Sequence, residues 1–194
     1  MQPGFVFYDE GRDEWPSGSA LKSFLESGDP PLVFTLGSTA VSHPGRFYET
    51  SIEAIRRLST RAVLIGAGRE VEWITPGILS LPYAPYSEVF PAASVIVHQG
   101  GSGTTAQALR AGRPMLFVPW GWDQPDNGTR VERRGAALCI PKDQYSTDTA
   151  LRALDRLRGD ESFAYNAAAA AGHIKNEGGL RAAADNIEGL LRGK

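Results

Sequence analysis

Val95-Ile96-Val97-His98-Gln99-Gly100-Gly101-Ser102-Gly103-Thr104-Thr105-Ala106-Gln107-Ala108-Leu109-Arg110-Ala111-Gly112 passes, without a break, from an apolar run through glycines into a helical pattern. The first part, SVIVH (94–98), is short, apolar and β-branched, which predicts a buried strand. TTAQALRAG (104–112) is helical and closed by Gly112, a C-cap residue. Three glycines between them allow positive φ and a close approach of backbone to a ligand. The helix start presents free N–H groups and the positive end of its dipole. Ser102, Thr104 and Thr105 add hydroxyl donors. The stretch reads as an anion cradle suited to a phosphate or diphosphate; the plain alternative is a tight strand-to-helix turn that holds no ligand. No Gly-Lys-Ser/Thr follows, so it is not a P-loop. Gly101-Ser102-Gly103-x-x-Ala106 matches the dinucleotide fingerprint only loosely, because the next apolar run, PMLFVP (114–119), ends in Pro119 and not in an acid.

The same rhythm extends in both directions. LVFTLG (32–37), AVLIG (62–66), ILSLPY (78–83), PMLFVP (114–119) and AALCI (136–140) read as further buried strands. Helical patterns fill 49–58, 125–134 and 147–158, the last opening on Thr147 as N-cap, and two more helical stretches finish the chain. Near-continuous apolar strands alternating with helices predict the α/β class. The expected architecture is a Rossmann-like doubly wound parallel sheet with helices on both faces and a helical C-terminal tail. Residues 1–30 carry little pattern apart from SALKSFLES (19–27) and read as a linker or entry segment, with the domain proper at 31–194. Ligands in such sheets bind beyond the carboxyl ends of the strands, which directs attention to the loops 37–45, 66–70, 83–87, 98–103 and 119–124.

Composition narrows the classes of function. The 194 residues are 42% hydrophobic, enough for one core, and a net charge of −2 with interspersed signs argues against a nucleic-acid surface. The single cysteine, Cys139, excludes an internal disulfide framework and is expected to pack in the core. No apolar stretch approaches the ~18 residues of a membrane span, and no signal peptide is read at the start, so a cytoplasmic setting is expected.

The second informative loop is Pro119-Trp120-Gly121-Trp122-Asp123-Gln124-Pro125-Asp126-Asn127. A carboxylate can accept from two sugar hydroxyls, and an amide can both donate and accept. Sugar recognition by Asp123 and Gln124 is one reading; Asp123 as the cap of a helix beginning near Pro125 is the other. Trp120 and Trp122 could flank a sugar ring or pack, with packing expected of at least one.

Together these pieces resemble the C-terminal domain of the GT-B glycosyltransferases that use nucleotide sugars. That group includes bacterial macrolide and antibiotic transferases, rhamnosyltransferases, sterol glucosyltransferases and plant secondary-metabolite glucosyltransferases. The matching motifs are VFTLGS (33–38), YAPY (83–86), VHQGGSGTTAQALRAGRP (97–114) and PWGWDQPDN (119–127), in order and in register. The resemblance implies one half of a GT-B fold that binds a UDP- or TDP-sugar. It implies that Ser38 touches the donor phosphate, and that the backbone of Gly100, Gly101, Ser102, Gly103 and Thr104, with the Thr104 hydroxyl, holds the diphosphate. Tyr83 would stack on the base, Ala84 would bond it through backbone, and Tyr86 lies in the same motif. Gln107 would meet the ribose hydroxyls. Asp123 and Gln124, with Trp122, would hold the sugar.

Two departures matter. Many members have histidine at the position of Gln99, whereas here the histidine is His98. Neighbouring strand residues face opposite ways, so the two do not interchange. Gln99 is expected to supply a neutral donor to the phosphate, and His98 either joins it or packs at the strand end. In the family, the acceptor and the catalytic base belong to an N-terminal domain. None of His43, His98 and His173 follows an opening strand-and-glycine unit, so no catalytic residue is assigned within this chain. The resemblance implies an inverting hexosyl transfer to a small-molecule or lipid acceptor. The nucleotide sugar serves as co-substrate, with no other cofactor, and the absence of an Asp-x-Asp motif predicts no metal. A non-catalytic nucleotide-sugar-binding module and an NAD-type oxidoreductase are the rival readings.

Overall fold

The computed structural model describes residues 4–7, 18–38 and 40–192. Its strands are β1 (Leu32–Thr35), β2 (Ala62–Ile65), β3 (Glu72–Thr75), β4 (Ile78–Leu81), β5 (Val95–His98), β6 (Met115–Phe117) and β7 (Ala137–Cys139). They form one sheet in the order β3-β4-β2-β1-β5-β6-β7. All neighbouring pairs are parallel except β3 with β4. The helices are α1 (Gly18–Glu26), α2 (Phe47–Leu58), α3 (Tyr86–Ala92), α4 (Ser102–Ala111), α5 (Gln124–Glu132), α6 (Thr147–Gly159), α7 (Glu161–Lys175) and α8 (Gly179–Arg192).

Side-chain alternation sorts the core into two layers. Val33, Val63, Leu79, Ile96, Met115 and Phe117 pack with Val89 and Phe90 of α3, Ala108 of α4 and Val131 of α5. Leu32, Phe34, Leu64, Val95, Val97 and Leu116 pack with Phe47 and Ile55 of α2 and Leu154 and Leu157 of α6. The sheet is therefore wound on both faces, as the sequence pattern predicts. The chain lays down β1, β2 and β4 toward one edge, then returns to place β5, β6 and β7 toward the other. The strand order thus reverses between β1 and β5, and that switch point is where open α/β sheets bind ligands.

Several elements differ from the sequence reading. SALKSFLES is more than an entry segment: Leu21 and Phe24 of α1 are buried in the main core, and the Arg61 guanidinium donates to the carbonyls of Asp29 and Phe24. β3 runs antiparallel along the sheet edge, with Glu72 and Trp73 exposed. Half-exposed strands lack the continuous apolar run that marks the others. α3 is a seven-residue helix with Pro91 inside it, a residue that argues against a helix in sequence. The cap of α6 is Ser146, one residue before Thr147, in a reciprocal capping box with Thr149.

The helical tail divides into two parts. α7 buries Phe163, Ala167 and Ala171, and the small side chains of Ala167, Ala168 and Ala171 let it lie close against Gly112 at the end of α4. α8 leaves Leu180, Ile187, Leu190 and Leu191 exposed. Among the described residues, no helix is long and apolar enough to cross a membrane.

Candidate functional site

The switch point brings two loops side by side. After β1, the chain turns through Leu36-Gly37-Ser38; after β5, it turns through the glycine loop into α4. Gln99 joins them. Its side chain is 4% exposed, and its Oε1 accepts the Gly37 N–H at 3.0 Å. A Cβ on Gly101 would lie 2.8 Å from Gln99 Nε2, so a side chain there would push the amide out of its place between the loops. Gln99 therefore sets the spacing of the two loops, a job not foreseen from its type.

Behind these loops lies a short polar chain. The Tyr86 phenol bonds Thr35 Oγ1 at 2.8 Å and the Thr104 side chain. Its ring stacks on Phe90 with centroids 4.4 Å apart. Burial pushes the Tyr86 phenol above its ordinary pKa, so it stays a neutral donor and acceptor. Thr104, 7% exposed, is thus held between Tyr86 and the β1 loop. Tyr86 acts through its hydroxyl on the start of α4, while its ring still lines the cleft.

That cleft measures about 370 Å³ and gathers Ser38, Tyr83, Ala84, Tyr86 and Gln107. These five residues, from three separate motifs, line one cleft. Tyr83 is half-exposed at the rim, and Ala84 is buried. Gln107 Oε1 already accepts from the Arg110 guanidinium at 2.8 Å. The residues of the glycine loop border the cleft across Gly37 and do not line it themselves. Gly101 is the N-cap of α4 and supplies no side-chain cap. The first N–H groups of the helix therefore have no intrahelical acceptor and concentrate partial positive charge at this end. Ser102 and Gly103 are exposed there.

His98 is corrected by the structure. It is wholly buried, its ring lies 4.4 Å from that of Phe117, and its Nδ1 accepts the Gly100 N–H at 3.1 Å. Burial lowers its pKa to about 3, so it is a neutral core histidine and leaves the set of diphosphate contacts. Its bond to Gly100 helps to shape the loop from below. Gly100 itself stands at φ +96°. A Cβ there would meet the Phe117 ring at 2.9 Å and the Gln124 carbonyl at 3.0 Å, so only glycine fits.

Trp122, Asp123 and Gln124 lie outside the lining of the cleft. Gln124 turns inward. It is 3% exposed, and its Oε1 accepts the N–H groups of Trp120 at 2.7 Å and Gly121 at 3.3 Å. Asp123 occupies the N-cap position of α5, yet its carboxylate makes no capping bond; it is exposed and accepts from Asn127 Nδ2 at 2.8 Å. Trp122 is 77% exposed with φ 55°, an uncommon conformation for a bulky side chain. Trp120 is the packed one of the pair, edge-on to Phe47 with Lys142 over its ring. Asn127 was missed by sequence reasoning; it also donates to the Gly100 carbonyl at 2.9 Å and so links this loop to the glycine loop. Its spacing of four from Asp123 on one helix was the available signal.

His43 and His173 are exposed and away from the cleft. Cys139 is partly buried, and burial together with Glu132 raises its pKa to about 12, so the thiol stays protonated. Among the described residues, no group of three His, Cys, Asp or Glu side chains is gathered that could hold a metal ion.

Comparison with known proteins fits this arrangement. Residues 52–182 match the family model described as erythromycin biosynthesis protein CIII-like, C-terminal domain. The chain is 38% identical over 136 residues to O-mycaminosyltylonolide 6-deoxyallosyltransferase of Streptomyces fradiae, covering 69% of this chain and 31% of the transferase. Spinosyn forosaminyltransferase SpnP superposes with a TM-score of 0.79 at 26% identity, covering 97% of this chain and 49% of that one. The glycosyltransferase VinC, solved in complex with dTDP, shares the fold with a TM-score of 0.69 at 24% identity, covering 87% of this chain and 43% of that one. The chain thus spans less than half of the length of each of these three proteins. With the switch-point cleft and the glycine loop in their expected places, the chain belongs to the erythromycin biosynthesis protein CIII-like C-terminal domain family of GT-B glycosyltransferases.

Proposed function

We propose that this chain binds the donor of a glycosyltransferase, a UDP- or TDP-linked hexose. Transfer is inverting, to a small-molecule or lipid acceptor, and a separate N-terminal domain supplies both that acceptor and the catalytic base. The observation that carries this reading is the pairing of an apolar-walled cleft at Tyr83 and Ala84 with the free N-terminus of α4 a short step away. A planar base suits the first and a diphosphate suits the second. The dTDP carried by VinC supports the same class of ligand.

In this reading, Tyr83 stacks on the base and Ala84 offers its backbone. Gln107 meets the ribose through its amide, since Arg110 already takes one lone pair of its carbonyl oxygen. Ser38 and the N–H groups at the start of α4 hold the diphosphate. As the bond to the anomeric carbon breaks, negative charge grows on the departing diphosphate. Fixed N–H donors that need no reorganisation lower that barrier, and a helix terminus contributes about 0.3–2 kcal/mol toward it. Asp123 and Trp122 face the sugar, with Gln124 holding their loop from within. The reading requires no metal and no cofactor besides the donor.

Titration calorimetry with UDP, TDP and NAD tests it. Saturable binding of UDP or TDP without NAD is the expected result. Binding of NAD with neither nucleoside diphosphate refutes it in favour of an oxidoreductase. Binding of the donor with no transfer after an acceptor domain is supplied would favour a non-catalytic nucleotide-sugar module. That second reading draws on the three histidines, none of which lines the cleft.

A further inference from the structure

Asn127 lies one helical turn beyond Asp123 on α5, half-buried, with both its amide hydrogens committed. One goes to the Gly100 carbonyl at 2.9 Å and the other to Asp123 Oδ2 at 2.8 Å. An amide NH2 has two donors, so this pair of acceptors uses it completely. The two acceptors belong to different parts of the donor site: one is the glycine loop, the other the carboxylate that faces the sugar.

The Gly100 bond has a directional consequence. The peptide between Gly100 and Gly101 is trans and planar, so its C=O and N–H point opposite ways. With the carbonyl drawn toward Asn127 on α5, the Gly101 N–H must point away from α5. Gly101 is the N-cap of α4, so this N–H belongs to the donors gathered at the anion end of that helix. Space beside Gly100 is short on this side, because even a Cβ there would meet the Phe117 ring at 2.9 Å and the Gln124 carbonyl of α5 at 3.0 Å. We infer that Asn127 is a positioning residue for the donor: it aims the Gly101 N–H at the diphosphate and holds the Asp123 carboxylate in place for the sugar. This rests on the donor-binding reading above.

The test is titration of the 194-residue chain with UDP and TDP, first unmodified, then as Asn127→Ala and Asn127→Asp, well below each protein's melting temperature. Asn127→Ala should weaken the nucleoside diphosphate about 10-fold, the worth of one such hydrogen bond. Asn127→Asp places a second carboxylate beside Asp123 and against the Gly100 oxygen, and should bind at least ~10-fold more weakly at pH 8. The neighbouring charge raises the pKa of the introduced carboxyl. Lowering the pH toward 5 moves it toward its protonated form, which regains one donor, and should recover part of the affinity relative to the unmodified chain. A purely structural role would lower melting temperatures without this pH-dependent return in folded protein. Should Asn127→Asp fail to fold, Asn127→Ser, which keeps one donor, must bind between the unmodified chain and Asn127→Ala. Affinity of Asn127→Ala within twofold of the unmodified chain overturns the inference. So does an Asn127→Asp deficit equal at pH 5 and pH 8. Failure of the unmodified chain to bind either nucleotide is a separate result: it sinks the donor-binding reading and this inference with it.

Discussion

Replacing Gly103 with alanine separates holding the fold from holding the ligand. Gly103 is the second residue of α4, exposed, and a Cβ built there meets nothing within 4 Å. The free protein should therefore accept the methyl and gain from it, because alanine in a helix is about 0.5–1 kcal/mol better than glycine. Unfolding entropy near 2.1 cal/mol/K per residue gives a domain of this size about 0.4 kcal/mol/K, so the melting temperature should rise by roughly 1–2.5 °C. The effect on the ligand is opposite. Cα–Cβ bonds lean toward the N-terminus of a helix, so the new methyl projects into the region where an anion would meet the first N–H groups. Calorimetric affinity for UDP or TDP should fall by about 10-fold or more, the equivalent of one diphosphate hydrogen bond lost. Gly100→Ala gives the contrast: with φ +96° and Phe117 at 2.9 Å, it should damage the fold itself. A drop in melting temperature for Gly103→Ala would refute the open start of α4. Unchanged affinity in a stable Gly103→Ala protein would refute the approach of a diphosphate to this turn.

Asp123→Ala should weaken a nucleotide sugar about 10-fold and leave UDP or TDP nearly unchanged, since Asn127 keeps its bond to Gly100; equal losses for both ligands would make Asp123 a structural residue. Tyr86→Phe deletes the hydroxyl between Thr35 and Thr104, should cost about 1–2 kcal/mol of stability by chemical denaturation, and should also lower nucleotide affinity by loosening Thr104. A change in stability with no change in affinity would detach that hydroxyl from the binding site. His98 has its pKa lowered to about 3, so the unfolded chain binds a proton that the folded chain refuses between about pH 6.5 and pH 3. Its contribution to stability is fully present above pH 6.5 and falls by up to ~1.4 kcal/mol per pH unit as acid is added. Denaturation of His98→Asn between pH 6.5 and pH 4.5 should show a shallower slope than the unmodified chain; an identical slope would place the acid sensitivity elsewhere.

The parallel strands were legible because each is buried on both faces, and such burial demands an unbroken apolar run, as in Val95-Ile96-Val97. β3 was not legible, since an edge strand open to solvent can carry Glu72 and Trp73 side by side. α1 was legible as a helix but not as part of the core, because its two anchors, Leu21 and Phe24, sit in a short polar setting that carries no sign of what lies above them. The site divides in the same way. Ser38, Tyr83, Ala84, Tyr86 and Gln107, which lie in three separate motifs, meet at one cleft. The directions of side chains were beyond reach: Gln99 and Gln124 have the chemistry of ligand donors, yet Gln99 turns its carbonyl onto the Gly37 N–H of the neighbouring loop and Gln124 turns its own onto the Trp120 N–H of the same loop. Strand alternation placed His98 on the face opposite Gln99 but left open whether it meets the diphosphate or packs, and it did not reveal that Phe117 would enclose it.

The lone antiparallel strand also bears on how the molecule behaves in company. A parallel sheet that ended at β4 would offer a straight row of unpaired peptide groups to any other chain. β3 covers that row, carries Glu72 on its exposed face, and breaks register between Trp73 and Thr75 just before Pro76. An irregular, charged margin that runs into proline is a poor template for another strand. At this margin the chain can be crowded at high concentration without sheets adding edge to edge.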